Sequence, residues 1–147
     1  MAAAFTLTSN DELPDNAAFF GVGANVACRG FSGHTSFVVA RRDVLSFLAA
    51  AADLQSGVGD SAQLLGGWDA AEERLRLRIA RDGLSARYVV RVRLAHPGAG
   101  DGQWDRVETE FVTAPRALAV FLSDLAQLVA QRESRSASLT DDVVEAV

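Results

Sequence analysis

Residues 35–54 and 109–128 can be laid over one another without a gap at a constant offset of 74 (109 − 35), half the length of the 147-residue chain. TSFVVARRDVLSFLAAAADL and TEFVTAPRALAVFLSDLAQL agree at nine of twenty positions, among them Thr35/Thr109, Phe37/Phe111, Arg42/Arg116, Phe47/Phe121 and Leu54/Leu128. Background composition gives about two. A match at fixed period marks a repeated supersecondary unit, and each copy reads as a strand running straight into an amphipathic helix. Whatever the fold, it must hold the same β-to-α element twice.

The length suits one domain, residues 1–147, with a single real core. Hydrophobic residues make up 49% and charged residues 22%, ordinary globular usage that argues against wholesale disorder. No run of about twenty apolar residues occurs, and Met1–Ser9 lacks the basic and apolar regions of a leader, so a cytoplasmic protein without a membrane span is expected. Cys28 is the single cysteine, which excludes an intrachain disulfide and a cysteine-built metal site. A formal charge of −5 disfavours general nucleic-acid binding, which needs a basic footprint, and would steer the chain toward a basic partner.

Period-two alternation predicts strands over Ala17–Cys28, around Thr35–Val39, over Glu73–Arg81 and Ala86–His96, and around Val107–Phe111, and the short apolar segment Ala62–Gly67 reads as a strand leaving through a turn. Gly30 and Gly33 flank a turn between the first two, and Asp82-Gly83 turns a hairpin. Asp43 is expected to cap the first helix, whose stripe is Val44, Phe47, Leu48 and Ala51 and whose end is Gly57. Pro115 opens the second, with Leu118, Phe121, Leu122, Leu125, Leu128 and Val129 on one face. Residues 132–147 read as a loose polar tail. The expected fold is α+β: one antiparallel sheet of about six strands with both helices on one face and the other face wet.

That wet face would carry Arg74, Arg76, Arg78, Arg91, Arg93, Glu108 and Glu110. Rows of charge at fixed spacing suit partner recognition, and Trp104, in a Gly- and Asp-containing loop context, adds an aromatic anchor. The competing reading is commoner: opposite charges on adjacent strands pair across the ladder on many solvated sheets, and a tryptophan such as Trp68 or Trp104 is often a hydrophobic lid. Catalysis finds no support. His34 and His96 are the only histidines and stand in no motif, no strained elbow presents Thr35 or Ser36, and Asp11, Glu12 and Asp15 flank Pro14 in a polar connector. Metal-binding spacings are missing, and Gly21-x-Gly23 lacks the third glycine and the helix of a dinucleotide loop, so no cofactor is expected.

The order of elements and the stretches GFSGHTSFVV, DVLSFLAAAADL, LLGGWD, ERLRLRIARDG and RYVVRVRLAHP resemble a WapI-like group of small bacterial immunity proteins, over roughly Ala17 to Val129. The resemblance implies a cytoplasmic, non-enzymatic protein that binds and neutralises a toxin domain, with no cofactor. A basic toxin would suit the acidic chain. Two alternatives stay open: a small-ligand or enzymatic domain with a pocket between sheet and helices, and a homodimer that covers its wet face with a second copy.

Overall fold

The alternating strands and the two helical stripes close around a shared interior, but as two sheets rather than one. The structure, a computed structural model, describes residues 3–10, 18–28, 31–67, 73–83, 86–97, 104–130 and 136–140. The elements run β1 (Ala4–Ser9), β2 (Phe19–Cys28), β3 (Phe31–Ala40), α1 (Arg41–Ser56), β4 (Ser61–Gly67), β5 (Glu73–Arg81), β6 (Tyr88–Pro97), β7 (Trp104–Thr113), α2 (Pro115–Val129) and β8 (Ser136–Thr140). One sheet has the order β3-β2-β1-β8 and the other β4-β5-β6-β7, with every described neighbour antiparallel.

Each half of the chain is therefore a βββαβ unit that gives its last strand away. β4 leaves the first half to pair with β5, and β8 returns from the second half to pair with β1. This corrects the expected six-stranded sheet to two sheets of four; the α+β class stands. It also corrects the loose tail over 132–147, because Ser136–Thr140 is a strand whose Ala137 and Leu139 are fully buried. Two side chains against the apolar floor of β1 suffice to dock so short a polar strand when its backbone finds a ready ladder.

Ladder registers extend the duplication well beyond the sequence match. His34, Asn25, Thr6 and Ser138 lie side by side across the first sheet, and the same rung of the second holds Glu108, Arg93, Arg76 and Leu65. The next rung is Ser36, Gly23, Thr8 and Ser136 in one sheet and Glu110, Arg91, Arg78 and Gln63 in the other. Phe37 and Phe111 occupy corresponding buried places. Gly33 and Val107, equivalent at the same offset of 74, touch each other: a Cβ on Gly33 would stand 3.0 Å from Val107 Cγ2. Contact between equivalent positions is the mark of a local two-fold relation between the halves. Gly33, expected to flank a turn, lies inside β3 opposite Val26; Gly30 lies outside the described residues.

Both inner faces and both helix stripes supply the core, whose largest fully buried side chains include Phe5, Phe37, Phe47 and Phe121. Phe5 and Phe121 meet with ring centroids 6.2 Å apart and planes tilted by 59°, the offset geometry that aromatic quadrupoles favour. Each helix packs chiefly on the last strand of its own half and against the other helix. α1 begins without a side-chain cap at Ala40, because β3 runs into it with no connector. Asp43, expected as the cap, sits instead in the first turn, where its charge complements the helix dipole. Gly57 closes α1 with φ of 86°, and Pro115 opens α2, both as read from the sequence.

Two further contacts cross the fold, the first between the halves and the second between the sheets. Arg41, at the start of α1, donates to the Val129 carbonyl at the end of α2 and lies 4.7 Å over the Phe20 ring. Thr113 Oγ1, fully buried, donates to the Thr140 carbonyl at 2.8 Å, joining β7 to β8 across the two sheets.

Candidate functional site

Along β5 and β6 the inward residues Leu75, Leu77, Ile79, Val90, Val92 and Leu94 are buried, so period two forces the intervening residues out to the opposite face. Antiparallel register sets Arg76 beside Arg93 and Arg78 beside Arg91, with Glu108 and Glu110 next along on β7. The result is a shallow depression of about 490 Å³ on the outer face of the second sheet, floored by these six side chains and bordered by Gln63. The seven charged residues expected on the wet face are all described with their side chains, and six of them converge.

The seventh, Arg74, does not. β5 bulges opposite the Gly66/Gly67 step, where Gly66 pairs with Leu75 and Gly67 with Glu73, so Arg74 is the extra residue. A bulge re-aims the side chain it carries. Arg74 is part-buried, and its Nη1 donates to the Ser36 carbonyl of the other sheet at 2.8 Å. Trp104 begins β7 opposite Pro97; the reading of its indole as an anchor, like that of Trp68, lies outside the described residues, as do Asp11, Glu12 and Asp15.

Charge on this face is partly self-neutralised. Arg76 grips Glu73 through two bonds of 2.7 and 3.0 Å, Arg91 Nε bonds Glu110 at 2.8 Å, and Arg93 stands 3.9 Å from Glu108. The hydrogen bonds that Arg76 donates to Glu73, and then the negative charge of Glu73, push the Arg76 guanidinium above its ordinary pKa. Both partners of the Arg91–Glu110 pair are more than half exposed, which limits its worth to under about 1 kcal/mol. Arg78 has no carboxylate partner among the described residues. Four guanidiniums face three carboxylates, and Arg78 lies centrally on a rung between Gln63 and Arg91.

Among its described residues the equivalent face of the first sheet carries no Arg, Asp or Glu. Thr6 and Ser138 hydroxyls share a 3.0 Å hydrogen bond, and His34 Nδ1 lies 2.8 Å from Asn25 Oδ1. Ser36 shares the face across the ladder with Gly23 and Thr8. The side-chain partner of the His34 ring is thus the Asn25 amide oxygen. His96 is exposed on β6 opposite Asp105.

Sequence reasoning missed a second feature beside the arginines. Where β3 enters α1, a groove of about 330 Å³ opens between Val38, Phe19, Leu65 and Gly66. Phe19 and Leu65 are 46% and 43% exposed, large apolar groups left in water. Its counterpart at the start of α2, about 390 Å³, is walled by Ala114, Arg116, Val120, Ser138 and Thr140. The groove is thus a product of the fold, and only its lining differs. The register that puts Leu65 next to Arg76 is not written in local periodicity, which is why the sequence concealed it.

The pocket expected between sheet and helices by the alternative reading is filled: the internal void under Phe37, Val44, Leu64 and Leu125 measures about 10 Å³, too small for more than one water. Among the described residues no three His, Cys, Asp or Glu converge to hold a metal ion, and no helix is long and apolar enough to cross a membrane. No known protein family, curated protein or solved structure matches the chain.

Proposed function

We propose that the chain is a non-enzymatic protein-binding module that works through the outer face of the β4-β5-β6-β7 sheet. One observation carries the reading. The positions that hold Arg76, Arg78, Arg91 and Arg93 in one half hold Thr6, Thr8, Gly23 and Asn25 in the other. The same ladder therefore forms without a single arginine, and cross-strand pairing alone does not account for a cluster whose central member, Arg78, pairs with no carboxylate among the described residues. Arginine is the cation suited to bidentate recognition at interfaces. The filled interior weighs against the small-ligand or enzymatic alternative.

Within this class, our reading is an immunity protein that neutralises a bacterial toxin domain from inside the cytoplasm. It rests on the sequence resemblance and on the net charge of −5, which would draw a basic toxin by long-range steering. Co-expression with any toxin domain encoded beside its gene is the test. The parent should co-purify with the toxin and restore growth, the double variant Arg78→Glu/Arg91→Glu should do neither, and Thr8→Glu/Ser36→Glu on the other sheet should behave as the parent. Failure of the parent to bind, or full protection by the Arg78/Arg91 variant, would overturn the reading.

A further inference from the structure

We propose that the partner enters through an extended acidic segment bearing one apolar side chain, its carboxylates on Arg78 and Arg91 and its apolar group in the groove between Phe19 and Leu65. This deepens the reading above and rests on it for the choice of surface. The two features are contiguous: Leu65 is the ladder neighbour of Arg76, and Glu73, which grips Arg76, also lines the groove. A segment crossing four strands spaced ~4.8 Å apart and then turning into the groove needs about six extended residues.

The chemistry of the occupant follows from how the arginines are framed. Glu108 and Glu110 edge the cluster on β7, and Glu73 stands at its opposite corner. A nucleic-acid backbone carries charge at every step and demands a continuous basic track, which these carboxylates interrupt. One or two discrete carboxylates fit between them, taking Arg78, which has none among the described residues, and sharing Arg91 with Glu110. An apolar anchor beside a charged contact is the usual anatomy of a binding hot spot, and exposed Phe19 and Leu65 supply its pocket. In the other half the groove persists, yet Ser138 replaces Leu65 and, among the described residues, the adjoining sheet face carries no arginine.

The test uses the isotopically labelled full chain and synthetic probes followed by NMR. The probes are a short extended peptide alternating Asp and Glu with one Phe, its Asn/Gln analogue, its Phe→Ala analogue, and oligothymidylate. The acidic peptide should bind with a dissociation constant below about 1 mM and shift the signals of Arg78, Arg91 and Leu65. Removing the carboxylates, removing the Phe, or changing Arg78→Gln should each weaken it at least about fivefold, as loss of a partly exposed charged or apolar contact does. Circular dichroism of Arg78→Gln should match the parent. The proposal is overturned by no saturable shift at millimolar peptide, by equal binding of the uncharged peptide, by shifts on the Thr6/Asn25 face, or by tighter binding of oligothymidylate to the same arginines. Failure here with toxin capture intact would leave the proposed function standing through another mode of docking, whereas peptide binding without a toxin partner would sink the toxin reading alone.

Discussion

Gly66→Ala is expected to destabilise the protein although its backbone would accept any residue, because Phe37 already fills the space a side chain would take. A Cβ at Gly66 would lie 2.2 Å from Phe37 Cε2 and 2.7 Å from Cδ2, against about 3.5–4.0 Å for relaxed carbon contact. Phe37 is fully buried, so its ring cannot swing into solvent. Overpacking of this kind costs about 1–3 kcal/mol, and an overlap beyond about 1 Å belongs near the upper end. The lower chain entropy of unfolded alanine returns about 0.4–1 kcal/mol, leaving a net loss of about 2 kcal/mol. With a urea slope of about 2 kcal/mol per M for a chain of this size, the unfolding midpoint should fall by about 1 M. Phe37→Leu, costly alone, should make room: the double variant should be at least about 1 kcal/mol more stable than the two single losses predict, a coupling typical of residues in contact. A Gly66→Ala midpoint indistinguishable from the parent, or strict additivity in the double variant, would refute the packing argument.

Arg78→Gln should leave the stability read from urea unfolding within about 0.5 kcal/mol of the parent, since Arg78 pairs with no carboxylate among the described residues; a larger loss would make it structural. Arg41→Met removes a charge-assisted bond to the Val129 carbonyl and the cation over Phe20, and should cost about 2–4 kcal/mol with faster amide exchange where the two helices meet. Gly57→Ala forces a side chain into a left-handed residue at φ of 86°, and should lower thermal stability by about 1–2 kcal/mol, read by calorimetry. Ending the chain after Ala130 strips β8 from β1 and uncovers Phe5 and Leu7; the fragment should show no cooperative unfolding transition by circular dichroism.

Local patterns were legible wherever neighbours in sequence decide the outcome. The Glu73–Arg81 and Tyr88–Pro97 hairpin, the stripes of both helices, Gly57 and Pro115 all follow from periodicity and turn chemistry. The partition into two sheets did not, because it depends on pairings such as Thr8 with Ser136 that no local window contains. β8 was mistaken for tail because three of its five residues, Ser136, Ser138 and Thr140, face outward and are polar. At the candidate site, alternation placed Arg76, Arg78, Arg91, Arg93, Glu108 and Glu110 on one face, but put Arg74 with them because a bulge across two glycines leaves no trace in strict alternation. The groove at Phe19 and Leu65 was hidden for the same reason that β4 was hard to place: its partner strand belongs to the other half of the chain.

Exchange of the final strands means that neither half is a finished object. A cut between Gly67 and Glu73 would yield two fragments, each with three strands of its own sheet and an arm that completes its neighbour's; mixed, they should reassemble, and apart, both should remain open-edged. A single such unit would have to pair with its twin, and any substitution would then appear on both outward surfaces at once. Covalent linkage releases that constraint: one surface can gather arginines while the other keeps its hydroxyls, so asymmetry of recognition becomes available to a framework that is symmetric in its construction.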